Sequence, residues 1–191
     1  MHRKTVTFIL LAMLAAALTG CLVTSVYPFY TEKDLTFDPA LLGQWSKADE
    51  TKEQWKFERR GTNAYLLTFV SDDQTNVMQA HLFKLAGQRF LDLFAPEKES
   101  EVLPPPIPSH LLLRVAQVTP TLRMTALNHD WLKDYLQKVP NAVRHELVQS
   151  GERPDDVRVV LTADTAELQK FILNQIKTNA AWNEEFELKK D

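Results

Sequence analysis

The chain has 191 residues with 22 basic and 25 acidic side chains, a formal charge of −3, and a single cysteine. That balance excludes the basic footprint of a nucleic-acid binder, and one cysteine excludes both an internal disulfide and a structural thiolate metal site. The length suits one domain able to bury a sizeable core.

Residues 1–20 divide into a basic start at His2, Arg3 and Lys4, an apolar run from Val6 to Leu18, and small residues at the end. These are the three parts of an export signal. The run is shorter than the roughly 20 apolar residues that a membrane-spanning helix needs. It closes on Leu18-Thr19-Gly20-Cys21, which resembles the lipobox of bacterial lipoprotein precursors: Leu, a small or hydroxylated residue, Gly or Ala, then Cys. The resemblance implies that the Cys21 thiolate takes a diacylglyceryl group, that the chain is cut between Gly20 and Cys21, and that the new amine is acylated. An ordinary secretory signal with a chance cysteine and an uncleaved apolar helix are the alternatives; that Cys21 is the only cysteine favours the lipid.

Each buried methylene contributes about 0.8 kcal/mol, so two or three acyl chains hold a protein on its membrane where one would not. Cleavage removes Arg3 and Lys4, leaving 171 residues with 20 basic side chains against 25 acidic ones, a balance of −5. No polybasic patch accompanies the anchor, so the acyl chains are expected to do the membrane binding alone. By the same resemblance Leu22, not being Asp, allows transport to the outer membrane of a diderm organism. The expected location is the cell envelope, outside the cytoplasm.

Residues 21–41 read as a short tether, with Tyr27, Pro28, Phe29, Tyr30 and Pro39 in place of a flexible Gly/Ser spacer. Tyr27, Phe29 and Tyr30 then either lie at the bilayer interface or pack on the outside of the folded domain. That domain spans 42–191. Trp55 and Phe57 alternate with polar neighbours, as in a strand with one buried face. Arg60 to Asn63 supplies a turn, Ala64 to Val70 is apolar on both faces, and Asp72 to Asn76 turns again. Val77 to Leu85 returns, Ala86-Gly87-Gln88 closes a tight connection, and Arg89 to Phe94 follows. Strands joined this closely are antiparallel neighbours.

Pro96 to Pro108, with Pro104-Pro105-Pro106-Ile107-Pro108, predicts a surface connector of extended polyproline geometry. His110 to Val118 and Thr121 to Leu127 resume strand character. In Asn128 to Val139 the apolar positions Trp131, Leu132, Tyr135, Leu136 and Val139 fall at helical spacing, Asn128 or Asp130 caps the start, and Pro140 stops the run. Ala142 to Val148 extends this as a second short helix. Val157, Val159 and Leu161 alternate as a strand; Asp164 and Glu167 form a capping-box pair ahead of the helix carrying Leu168, Phe171, Ile172 and Ile176. Glu185 to Leu188 is a closing strand. The pattern predicts a mainly β (α+β) fold, an antiparallel meander curling into a barrel or half-barrel, with two or three amphipathic helices in the C-terminal half covering an open edge or an end.

Gly43-x-Trp45 at the head of the first strand resembles the Gly-x-Trp signature of lipocalins and related calycins, whose indole plugs the closed end of an eight-stranded barrel. The resemblance covers about Leu42 to Phe94. It implies a barrel whose interior, if hollow, is lined by Trp45, Trp55, Phe57, Leu67, Phe69, Phe83 and Phe90.

No stretch prescribes a chemistry. There is no Gly-x-Ser-x-Gly elbow around any serine, and adjacent Ser109 and His110 point to opposite faces of a strand. His81, His110, His129 and His145 lack the i, i+4 spacing of a zinc pair, and the glycines are too scattered to cradle a phosphate. No catalytic residue, metal or cofactor is expected. Two functions stay open. An envelope interaction or assembly module would present a strand edge or helix face to a protein partner, and this reading is preferred because it requires no cavity. The alternative is a calycin-like binder of an apolar or lipidic small molecule.

Overall fold

The computed structural model describes residues 22–47, 50–71, 74–95, 109–153 and 156–191. The export signal, Gly20, Cys21, the Asp72-Asp73 turn and the proline-rich connector lie outside the described residues. Eleven strands and two α-helices occur among the described residues. The strands are β1 (Thr24–Ser25), β2 (Gly43–Lys47), β3 (Glu50–Arg60), β4 (Ala64–Ser71), β5 (Gln74–Leu85), β6 (Gln88–Phe94), β7 (His110–Gln117), β8 (Thr121–Ala126), β9 (His145–Gln149), β10 (Val157–Leu161) and β11 (Phe186–Lys190). The helices are α1 (His129–Lys138) and α2 (Thr165–Gln175).

The meander closes. Strands β2 to β8 pair in sequence order, β6 with β7 across the connector, and β11 inserts antiparallel between β8 and β2. The result is a closed eight-stranded antiparallel barrel, calycin-like, with no edge left unpaired in its wall. The closing role expected of the last residues is thus filled by β11. Outside the barrel, β1 pairs with the first residues of β7, Thr24 opposite Leu111 and Ser25 opposite His110, and carries β10 parallel and β9 antiparallel beyond it.

Two apolar cores result from one wall. Trp45, Trp55, Phe57, Tyr65, Leu67, Leu82, Leu91, Leu122, Met124 and Leu188 point inward. Phe83, Leu85, Phe90 and Leu112 point outward from the same strands and meet Leu132 and Leu136 of α1, Leu168, Phe171 and Ile172 of α2, and Val159 and Leu161 of β10. The helices therefore cover the side wall of the barrel; neither an edge nor an end is what they shield. Each helix starts at a side-chain cap, with Asn128 accepting from the Trp131 N–H at 2.9 Å and Asp164 from the Glu167 N–H at 3.0 Å. Glu167 does not return the bond expected of a capping box, because its carboxylate is taken by Arg144 at 2.9 Å.

One sequence expectation changes. Ala142 to Val148 forms no helix; its second half is β9, held by β10 along a register running from His145 opposite Leu161 to Gln149 opposite Val157. In residues 22–41, read as a short tether, packing on the folded domain is the outcome for Phe29 and Tyr30. Phe29 is buried in the outer core, Tyr30 packs on His81 and Phe83, the Thr36 N–H donates to the Leu82 carbonyl at 2.9 Å, and Leu41 is buried in the inner core. Of the three tether aromatics only Tyr27 is exposed.

Candidate functional site

The barrel has one solid end. There the Trp45 indole is fully buried and donates to the Leu41 carbonyl at 2.9 Å, so the short 3-10 turn Pro39–Leu41 is tied under it. Lys190 of β11 lies over the indole ring at 5.1 Å and donates to the Ala40 carbonyl at 3.0 Å, a cation–π contact that covers the ring from outside. Gly43 has φ +117° and a side chain there would meet Lys190 Cε at 3.0 Å, which is why glycine stands two positions before the tryptophan. Phe37 stacks on Tyr65 at 4.9 Å; the Tyr65 hydroxyl accepts from the Asp38 N–H and donates to the Asp38 carbonyl. Burial pushes that phenol up to about 12, so it keeps its proton and both bonds.

The opposite end is hollow. A cavity of about 650 Å³ opens there, formed inside by Trp55, Phe69, Met78, Leu93, Leu111, Leu113 and Ala126 and at its lip by Leu22, Val23, Thr24, Asn76, Val77, Ser109 and Arg158. This volume falls within the about 300–1,000 Å³ usual for small-molecule sites. Fourteen of its 18 described lining residues are apolar, and Arg158 is the only charged one. The lip is mixed, with Leu22 and Val77 41% and 44% exposed beside Thr24, Asn76, Ser109 and Arg158.

The seven residues expected to line a hollow interior separate into three groups. Trp55 and Phe69 line the cavity, their rings 5.0 Å apart. Trp45, Phe57 and Leu67 point inward but sit in the solid part. Phe83 and Phe90 are on the outer face, stacked on each other at 5.5 Å beneath the helices. The correction has a simple cause: β5 and β6 are apolar on both faces, so composition did not tell which face looks inward. The liners that aromatic content missed, Met78, Leu93, Leu111, Leu113 and Ala126, are small or aliphatic. Period-two alternation locates them once a single inward residue is known.

Behind the cavity wall lies a polar cluster on the outer face. Asp92 is fully buried and accepts from the Phe29 N–H at 2.9 Å and from His110 Nδ1 at 2.7 Å. Two donors satisfy a charge that would be costly unpaired, and they pin the N-terminal segment to β6 and β7. Ser109 and His110 do face apart, the serine on the cavity lip and the imidazole against Asp92. Tyr30 packs edge-on against His81 at 4.7 Å. Burial, then the charges of Asp92 and Glu32, push the Tyr30 hydroxyl far above its ordinary range. Burial lowers His81, against the opposing pull of Asp92 and Glu32 and with help from His110.

The remaining histidines serve local structure. His129 Nε2 bonds the Val157 carbonyl at 2.8 Å and His145 Nδ1 the Val143 carbonyl at 2.9 Å. Among the described residues no three His, Cys, Asp or Glu side chains converge as metal ligands would, and no helix is long and apolar enough to cross a membrane. No protein family, curated protein or solved structure matches the chain.

Proposed function

We propose that this protein is a lipid-anchored envelope barrel that binds an apolar or lipidic small molecule in the cavity at its hollow end, and that it acts by binding and not by catalysis. The observation that carries the proposal is the position of the cavity. Its lip contains Leu22, the residue that follows the cysteine expected to bear the acyl chains, so an acyl anchor on that cysteine would join the chain one residue from the opening. The exposed apolar side chains Leu22 and Val77 at that place can meet the bilayer without exposing hydrocarbon to water. A molecule could then pass between membrane and barrel without crossing bulk solvent.

This reading displaces the partner-docking function, whose advantage was that it needed no cavity. The edge of β9, which has no further strand beside it among the described residues and carries Val148 at 46% exposure, is the feature that docking would use.

Ala126 is half-buried on β8 and faces the void. Phenylalanine there fills empty space and does not overpack a solid core. With the mature protein in nanodiscs, Ala126→Phe is expected to weaken displacement of an apolar fluorescent probe by about tenfold, roughly the 1.4 kcal/mol of one lost apolar contact surface, with little change in Tm. Unchanged binding would overturn the cavity reading. Mass analysis of the same preparation is expected to show an acylated Cys21; a bare thiol would remove the anchor.

A further inference from the structure

We infer that the ligand is an amphiphile with an anionic head, its apolar tail in the barrel and its head against Arg158. This deepens the cavity reading and rests on it. Arg158 lines the cavity from β10, a strand outside the barrel, and reaches the lip only because β1 bridges β10 to β7. The parallel register sets Thr24 opposite Val160; continued two residues, it sets Leu22 beside Arg158. The guanidinium thus stands on the same lip as the residue adjoining the expected anchor.

Among the described residues the Arg158 guanidinium has no carboxylate partner and no side-chain hydrogen bond, although acidic side chains outnumber basic ones in the chain and Arg144, Arg123 and Arg153 each have an acid within 3.2 Å. Among the described lining residues this guanidinium is the one charge and has no acid beside it, which gives the mouth a sign. It attracts a carboxylate or phosphate, which its planar donors can hold bidentately, and it repels an ammonium head. Thr24, Asn76 and Ser109 share the lip and supply neutral hydrogen-bonding groups. Tail and head are therefore separated along the barrel axis, with apolar walls inside and polar groups only at the lip.

The test uses the intact anchored protein in its own membranes and three photoreactive probes, each with a diazirine near the chain end: a palmitate, the neutral alcohol of the same length, and a lysophosphatidate. The acid is expected to label peptides containing Trp55, Phe69 or Leu113, and Arg158→Glu is expected to reduce that labelling by about fivefold, the effect of one partly exposed charge pair. Labelling by the alcohol should be unchanged in the variant. Labelling by the lysophosphatidate alone, with the same dependence on Arg158, supports the inference and identifies the head as phosphate. Equal labelling by acid and alcohol, unaltered by the substitution, would overturn the head-group assignment while leaving the cavity reading intact. No cavity labelling by any probe would overturn both. Arg158 is exposed, so a Tm equal to that of the unsubstituted protein is the expected control.

Discussion

His81 carries a burden that its neighbours explain. Among the described residues its buried Nδ1 has no hydrogen-bond partner, its Nε2 contacts Gln79 Nε2 at 3.0 Å, and the Tyr30 and Phe94 rings meet it edge-on at 4.7 and 5.5 Å. Asp92 is committed to His110 and the Phe29 N–H, so it offsets the loss of water around His81 only in part. The folded state therefore holds the imidazole neutral below its ordinary value of 6.5. The unfolded chain takes up the proton near that value and the folded chain only at lower pH. Stability is then full above 6.5 and declines as pH falls below it. Urea midpoints measured from pH 7 to pH 5 should fall in the native protein and fall less in His81→Gln, which cannot titrate; parallel curves would contradict the assignment.

At the scale of single elements, the β5–β6 hairpin shows a local misfit that the fold tolerates. Ala86 and Gly87 have φ of +47° and +80°, the double left-handed geometry of a type I′ turn. Glycine suits the second position, but alanine at the first is strained. Ala86→Asn should stabilise the protein by up to about 1 kcal/mol, seen as a higher urea midpoint at constant slope. The neighbouring connections were legible from Gly61 and Gly87 because turn chemistry is local. The segment of β9 was not: Ala142, Val143, Leu147 and Val148 suit a helix face as well as a strand, and only pairing with β10 decides between them. Which of the two places residues 22–41 take was not legible for a related reason, since Asp92, which pins Phe29, lies 63 positions away.

Across the whole molecule the two ends of the barrel differ in packing, and substitutions should report the difference. Leu122 is fully buried in the solid part, so Leu122→Ala leaves a closed void and should cost about 2–5 kcal/mol. Leu93 borders the cavity, and Leu93→Ala only enlarges a space already open, which should cost under about 2 kcal/mol. Chemical denaturation of the two variants compares them directly. Equal losses would mean that the hollow end is filled in solution. The outer core makes the asymmetry possible: because α1, α2 and β10 bury a second set of apolar side chains on the wall, stability does not depend on filling the interior.

Sequence alone determined what neighbouring residues decide: the alternation of β3, the turns at Gly61 and Gly87, the capped starts of α1 and α2, the closing strand, and the expectation of a lipid on Cys21 carried by four adjacent letters. Tertiary structure decided what depends on distant partners. The pairing of β6 with β7 shuts the barrel, the phase of β5 and β6 turns Phe83 and Phe90 outward and Leu91 and Leu93 inward, and β1 brings Arg158 to the lip. The physical reason is that a strand buried on both faces carries no polar mark of its inner side. A cavity, likewise, is a property of the space between strands and of no single strand.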